Sequence, residues 1–299
     1  MRFRDAKDLF IHAKKAAGMS PETIRDYESS IKNFCLFAVD KGVYSAEDVS
    51  PRLIEEYLIF KRRGGKNSPL TVFDSYRDMR TWFRWLKKKN YIPECPIDEV
   101  DAPRKGRQET RVFTVKEIGI IFSSFDKKSF FGYRDFCICK TLLGTGLRRA
   151  ELVNLKDEDM VGNMFRVIGK GNKYRAVPIP NELSSILGHY ISMRNELYPD
   201  AKYLFVNVTG KGLGKEGLSM VMRRVKERTG IQGERVSCHT FRHTFATMFL
   251  ENGGSIAYLQ KILGHSSIST TEKYLHLQTS GIRHEHAMYN PLDNKDWMI

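Results

Sequence analysis

The segment His-Thr-Phe-Arg-His, residues 239–243, contains side chains whose types and spacing could do chemistry. His239 and His243 stand four residues apart and would share one face of a helix, as zinc ligands do in metalloproteases. The protease motif needs a glutamate directly after the first histidine, and Thr240 stands there instead. Arg242 would repel a metal cation but, beside His239, would suit a substrate anion. The segment therefore favours anion chemistry over a metal site, and His243 alone is best explained as a packing residue.

Three further segments contain groups that can act on a phosphodiester. Arginine can bind the non-bridging oxygens with paired hydrogen bonds, lysine can protonate a leaving oxygen, and tyrosine can attack phosphorus. The candidates are Arg148 or Arg149 in TGLRRAEL, Lys170 or Lys173 in GKGNK, and His265 with Tyr274 in LGHSSISTTEKYL. Because free tyrosine has a pKa of about 10, a tyrosine in such a role would need nearby cations that favour its phenolate. The residues alone leave the choice within each of the first two pairs open.

The 299-residue chain has a formal net charge of +14, which predicts a polyanionic partner. Nucleic acid is the leading candidate, and an acidic membrane surface is the second. No apolar run approaches the roughly 20 residues that a spanning helix needs, and the first ten residues lack a signal-peptide core. We therefore expect no membrane partner and a cytoplasmic, nucleoid-associated protein. The five cysteines include no Cys-x-x-Cys pair, which argues against a disulfide framework and a zinc ribbon.

The elements that must position these residues begin with a helical region. Serine is a preferred N-cap and proline is tolerated at the first helical position, so three Ser-Pro pairs predict helix starts at residues 20–21, 50–51 and 68–69. Apolar residues then recur at spacings of three and four, and another helix is expected near residues 5–17. Residues 1–92 are therefore predicted to form a helical bundle.

Three prolines within residues 93–112 interrupt the helical pattern and predict a basic interdomain linker. Residues 113–299 are predicted to form a second, larger domain. Its expected elements are helices at 114–125, 132–144, 148–155 and 181–197, a β-hairpin in NMFRVIGKGNKYRAVPIP, a helix from Ser219, the helix of His239 and two short helices through LQKILGHSSISTTEKYL. The predicted fold class is mainly α with a small β-hairpin or sheet, in two domains that would close around DNA as a clamp.

Four pieces of the second domain, in order and spacing, strongly resemble the tyrosine recombinases, the site-specific DNA integrases and resolvases, and most closely their Xer-type branch. The pieces are Gly-Leu-Arg-x-x-Glu-Leu at 146–152, Gly-Lys-Gly-Asn-Lys at 169–173, His-x-x-Arg-His-x-Phe-Ala-Thr at 239–247 and LGHSSISTTEKY at 263–274. The resemblance implies a tyrosine recombinase catalytic domain in residues 113–299. For residues 1–92 it implies a SAM-like domain that binds the core DNA site.

The resemblance also implies six catalytic residues, all of which are present. It selects Arg148 over Arg149 because Glu151 follows at the family's offset, and it selects Lys170 over Lys173. The implied set is Arg148, Lys170, His239, Arg242, His265 and the nucleophile Tyr274. In this family DNA is cut and rejoined through a 3′-phosphotyrosyl intermediate, without metal, ATP or another cofactor. Integration of a mobile element and resolution of chromosome dimers are both compatible with this chemistry.

The implied partner is a double-stranded DNA recombination site, bound by a tetramer of the chain on paired sites. The candidate DNA contacts are the basic residues at helix ends, in the linker and in the second domain: Arg62, Arg63, Lys66, Lys87, Lys88, Arg104, Lys105, Arg107, Lys173, Arg223 and Arg224. Such runs are equally typical of solvated helix ends. A C-terminal tail exchanged between protomers is also implied, with Met288, Leu292, Trp297, Met298 and Ile299 as apolar anchors; a frayed terminus is the alternative.

Two other functions fit parts of the sequence. A type IB topoisomerase uses a similar catalytic set to nick and reseal one duplex, but the separate helical domain favours recombination. A non-catalytic DNA-binding regulator is suggested by the helix-turn-helix-like segment LQKILGHSSISTTEKYL. The complete catalytic set argues against it, because binding alone needs no aligned tyrosine.

Overall fold

The computed structural model describes residues 1–63, 67–106, 111–169, 174–231, 236–264 and 271. The chain divides into two compact units, Met1–Glu109 and Thr110–Ile299. Each unit has its own apolar core. Among the described residues, no helix combines the length and the apolar character that a membrane crossing requires.

In its described residues, the first unit contains a bundle of four α-helices: α1 (Phe3–Ala16), α2 (Pro21–Asp40), α3 (Pro51–Arg62) and α4 (Pro69–Lys88). The three predicted Ser-Pro helix starts are confirmed. Ser20, Ser50 and Ser68 each cap a helix, accepting a hydrogen bond from the backbone N–H three residues later at 3.1–3.3 Å. The apolar faces of the helices meet around a cluster of aromatic rings that includes Phe34, Trp82 and Phe83.

The first unit extends past the bundle into the segment predicted as a linker. A short 3-10 helix covers Pro96–Glu99, and Ile97 and Val100 are buried in the core of the bundle. The hydroxyl of Tyr76 on α4 donates to the Val100 carbonyl at 3.1 Å. The prolines therefore end the helical pattern without ending the packed unit, and part of the segment predicted as a linker, residues 93–112, packs on the bundle.

The second unit combines seven helices with a three-stranded sheet in the described part of the chain. The helices are α5 (Val115–Ser123), α6 (Phe130–Thr145), α7 (Arg149–Asn154), α8 (Asn181–Leu197), α9 (Lys215–Thr229), α10 (Cys238–Glu251) and α11 (Ile256–Leu263). The antiparallel sheet has the order β1 (Met160–Val161), β2 (Met164–Ile168), β3 (Tyr174–Pro178). Phe165 and Val177 pair across β2 and β3 and face the core. The mainly α fold with a small sheet is thus confirmed, with β1 as an addition.

Helix α9 begins at Lys215, four residues before the predicted start at Ser219. The Ser219 hydroxyl donates back to the Lys215 carbonyl at 3.0 Å, so the serine lies inside the helix and does not cap it. Burial of Leu213 and Leu218 anchors the true start around Gly214.

Among the described helices of the second unit, three end at glycines in the left-handed conformation, and α9 does so at Gly230 with φ 61°. Gly146 ends α6 with φ 62° and Gly264 ends α11 with φ 64°. Both ends are also crowded, since a Cβ would lie 2.4 Å from the Phe245 ring at Gly146 and 3.0 Å from the Arg175 side chain at Gly264. Glycine is therefore required at both positions, and the carbonyl groups nearby stay open to side-chain donors.

Candidate active site

Three arginines from three elements converge on the C-terminal end of α11. Arg175 on β3 donates through Nε to the Ile262 carbonyl at 2.7 Å. Arg242 on α10 donates through Nη2 to the Leu263 carbonyl at 2.8 Å, and Arg148 donates through Nη2 to the Gly264 carbonyl at 3.1 Å. The end of a helix carries a partial negative charge on such carbonyl groups, which the guanidinium groups stabilise. Three positive charges are thereby held beside the residue that precedes His265.

Arg242 links two helix ends. Besides its bond to Leu263, it donates through Nη1 to the Gly146 carbonyl at 2.6 Å, so one guanidinium group joins the ends of α6 and α11. The side chain is only 5% exposed. A buried charge is tolerated where hydrogen bonds replace its hydration, as these carbonyl groups do. Arg242 therefore joins the ends of α6 and α11, and these hydrogen bonds fix the position of its charge.

Arg148 occupies the N-cap position of α7, one residue before the helix begins. Its backbone N–H donates to Glu151 Oε2 at 2.7 Å, and its Nη1 donates to Glu151 Oε1 at 3.0 Å. The side chain remains 37% exposed. Arg149, the alternative in the sequence, lies at the first position of the helix and lines a different cavity. The structure thus places Arg148, and not Arg149, at the end of α11, where Arg242 also donates.

Glu151 is a buried carboxylate held by two arginines. Arg175 donates to both of its oxygens at 2.8 Å, in addition to the bonds from Arg148. Burial raises the pKa of Glu151, but hydrogen bonds from Arg175 and from the Arg148 backbone outweigh it and lower the pKa to about 2. The carboxylate is consequently ionised at neutral pH, where it orients both guanidinium groups.

Arg175 was not among the residues predicted for the site from the sequence. A signal was present, because side chains alternate along a strand and Arg175 lies on the same face of β3 as the buried Val177. An arginine on the inward face of a strand needs a buried acidic partner or carbonyl groups. Glu151 and the Ile262 carbonyl supply both.

His239 lies exposed in the first turn of α10 and lines a cavity of about 400 Å³. Arg149, Arg223 and Lys226 line the same cavity, which gives it a positive lining. Burial raises the pKa of the neighbouring Cys238 thiol to about 11, so this thiol is neutral and does not offset the positive charge. The cavity is suited to a phosphate group.

The other predicted DNA-contact residues divide between the two units. In the first unit, Arg62 and Arg104 line one cavity of about 540 Å³, and Lys105 Nζ lies 5.6 Å from the centroid of the Phe73 ring. Lys87 and Lys88 lie in the last turn of α4, and Arg63 follows α3.

In the second unit, Arg224 forms an ion pair with the buried Asp135, with 2.6 Å between Nη2 and Oδ2. Arg224 is therefore committed to the fold, whereas its neighbour Arg223 makes an exposed ion pair with Glu227. The predicted residues Lys66, Arg107, Lys170, Lys173, His265 and Tyr274 lie outside the described residues, as does the tail. Over the ranges that are described, no group of three or more His, Cys, Asp or Glu side chains could hold a metal ion.

The chain is similar in sequence and in structure to proteins of one family. The profile of the phage integrase family matches residues 111–280. The chain is 31% identical to tyrosine recombinase XerC 2 of Ralstonia nicotianae, covering 95% of this chain and 85% of the relative. It is 30% identical to tyrosine recombinase XerD of Staphylococcus epidermidis, covering 94% and 96%. A crystal structure of XerH recombinase in a post-cleavage complex with a palindromic difH substrate matches with a TM-score of 0.73, at 24% identity, over 92% of this chain and 81% of that one.

The chain belongs to the phage integrase family of tyrosine recombinases. It is a site-specific recombinase that cuts and rejoins DNA strands. Both predictions made from the four sequence motifs, the family and the function, are confirmed.

Proposed function

We propose that the second unit performs recombination with Arg148, Lys170, His239, Arg242, His265 and Tyr274 as its catalytic residues. The observation that supports this most is the joint position of two arginines. Arg148 and Arg242 donate to consecutive carbonyl groups at the end of α11, so their charges stand side by side. Paired guanidinium groups match the non-bridging oxygens of a phosphodiester in charge and geometry.

The proposed reaction is an in-line transfer of one phosphoryl group. Tyr274 Oη forms a bond to phosphorus, the bond from phosphorus to the 5′ oxygen breaks, and the DNA strand stays attached through a 3′-phosphotyrosyl link. Lys170 supplies the proton that the departing 5′ oxygen takes up, and His239 accepts the proton of the tyrosine. Arg148 and Arg242 stabilise the negative charge that grows on the non-bridging oxygens. Attack by a free 5′ hydroxyl on the link rejoins the strand.

Locating the cut on DNA tests the proposed reaction. Incubating the protein with DNA that flanks its gene, and mapping the cleaved positions at nucleotide resolution, should give cuts at one defined position per strand. Cuts scattered over unrelated sequence would contradict site-specific recombination and favour a nicking and resealing enzyme.

Lys170→Ala is expected to lose cleavage on normal DNA by about 10²–10⁴-fold, because a general acid contributes about that much. A bridging 5′-phosphorothiolate should restore it, since sulfur leaves without needing a proton. The measurement is single-turnover cleavage of both substrates by wild type and variant. Equal defects on the oxygen and sulfur substrates would reassign Lys170 to phosphate binding and make Lys173 the candidate acid.

We propose further that the cavity beside His239 binds a DNA phosphate through Arg223. Arg223→Ala should weaken binding and reduce by about one the slope of log affinity against log salt. Arg228→Ala, which removes an exposed charge from the last turn of the same helix, is the matched control and should change the slope less. Arg224→Ala should instead lower the melting temperature, because it removes one of the two arginines, Arg134 and Arg224, that pair with the buried Asp135. Equal slopes for the Arg223 and Arg228 variants would contradict a phosphate site here.

We also propose that the active species is a tetramer on paired sites, with the C-terminal tail of one protomer docked on its neighbour. Deleting residues 289–299 removes four of the five apolar anchors, Leu292, Trp297, Met298 and Ile299. Cooperative binding to full sites and recombination should then weaken, while binding of one protomer to a half-site persists. Gel-shift titrations at one salt concentration measure both; unchanged cooperativity and recombination would contradict tail exchange. Association with the nucleoid follows from the same DNA affinity.

A further inference from the structure

We propose that Arg175 is a positioning residue for DNA cleavage, an inference that rests on the function proposed above. By pairing with Glu151 and binding the Ile262 carbonyl, Arg175 holds Arg148 and the end of α11 in the arrangement that the reaction requires. It is distinct from the six residues of the catalytic set and does not contact the reacting phosphate.

A single guanidinium group connects three elements. Each of the three nitrogens of Arg175 donates to the protein: Nη1 and Nη2 to Glu151 on α7 at 2.8 Å, and Nε to Ile262 on α11 at 2.7 Å. The side chain starts from β3 and is only 12% exposed. Its hydrogen bonds therefore point into the protein and away from a bound strand. What Arg175 contributes is the relative placement of β3, α7 and α11.

The orientation of Arg148 depends on this pairing through Glu151. The two Glu151 oxygens also accept hydrogen bonds from the backbone N–H and from Nη1 of Arg148, so one carboxylate orients both arginines. The close fit continues at Gly264, where an added Cβ would lie 3.0 Å from Arg175 Cδ. The glycine before His265 thus leaves the space that Arg175 fills. A shift of about 1 Å in such a support can reduce a reaction rate about 10²-fold.

Loss of Arg175 should also change how cleavage depends on pH. Burial raises the pKa of Glu151, and Arg175 is the first of the hydrogen-bond donors that lower it to about 2. Glu151 lines a cavity of about 520 Å³, and the other charged and titratable groups that line it are Lys156, Glu158, Asp159, Arg166, Tyr174 and Tyr203. Within the described residues, the hydrogen bonds to the carboxylate come from Arg148 and Arg175 and from none of these groups. Without Arg175, the carboxylate would take up a proton at higher pH and release Arg148.

The experiment compares full-length Arg175→Gln, Arg175→Lys and Arg166→Gln with wild type. Arg166 lies on the neighbouring strand β2 of the same hairpin, and its guanidinium carbon lies 5.8 Å from the centroid of the Tyr174 ring. Arg166→Gln therefore removes one positive charge from the same hairpin, as Arg175→Gln does. Cleavage of a nicked suicide substrate is measured in single turnovers at saturating protein, from acidic to neutral pH. Half-site affinity and thermal unfolding are measured in parallel, and rates are normalised to the folded fraction.

We expect Arg175→Gln to cleave about 10²-fold more slowly than Arg166→Gln at equal half-site affinity, with the acid limb of its rate profile moved to higher pH. Arg175→Lys keeps the charge and should restore the acid limb while recovering only part of the rate, because lysine cannot bind both oxygens at once. If Arg175→Gln cleaves like Arg166→Gln, or loses rate equally at every pH, Arg175 has no positioning role. A wild-type protein that forms no covalent adduct would instead refute the proposed function itself.

Discussion

Tyr274→Phe is expected to abolish covalent attachment to DNA while leaving half-site affinity within about twofold of wild type. The change removes one hydroxyl, and with it the only atom that the proposed reaction joins to phosphorus. The positive surface that provides most of the affinity is untouched, because DNA binding depends on phosphate contacts. Trapping on a nicked suicide substrate, followed by denaturing gel electrophoresis, measures the adduct directly.

The control for this variant is a second tyrosine of the chain. Tyr258→Phe removes a hydroxyl from α11, where the ring is well exposed, and should leave adduct formation unchanged. Covalent adduct formed by the Tyr274 variant at the wild-type rate would show that another residue attacks the phosphate.

Arg242→Lys is expected to have the second largest effect. A lysine cannot donate in two fixed directions, so it cannot hold the Gly146 and Leu263 carbonyl groups together as the guanidinium group does. One buried carbonyl group would be left without a donor, at a cost of about 1–3 kcal/mol in stability. The loss of a positioned donor in the transition state should lower cleavage by about 10²–10³-fold.

Stability and catalysis must be separated for this variant. The rate of adduct formation is therefore normalised to the folded fraction at each temperature, and Arg228→Lys on the exposed end of α9 serves as the control for the arginine-to-lysine change. A rate defect that disappears after normalisation would limit Arg242 to a structural role.

Local rules predicted much of the fold. The three Ser-Pro pairs predicted helix starts correctly because the capping bond joins residues three apart, within one turn. The hairpin was predictable because Gly-Lys-Gly-Asn lies between two short β-rich runs. The start of α9 was not predictable from local rules. No side chain caps the helix at Gly214, and burial of Leu213 and Leu218 stabilises its start.

The site was predictable only in part. Four sequence motifs identified the family, and the two arginines among them meet at one helix end. The role of Arg175 depends on a pairing with Glu151, 24 residues away, and on a carbonyl group of α11, 87 residues away. Contacts of that range follow from the packing of three elements, which local spacing does not encode. Local spacing also did not indicate that Ile97 and Val100 pack in the core of the first unit, because they follow the last helix of the bundle.

The central claim, that Tyr274 attacks the phosphodiester, is tested most directly by locating the DNA on the protein. The wild-type adduct on a suicide substrate would be digested with nuclease and trypsin, and the peptide that retains a nucleotide would be sequenced by mass spectrometry. Cleavage after Lys273 and Arg283 gives the peptide YLHLQTSGIR, in which Tyr274 is the only tyrosine. We predict a nucleotide joined through its 3′ phosphate to Tyr274 in this peptide. A nucleotide on any other peptide, or strand cleavage with no adduct at all, would contradict the account.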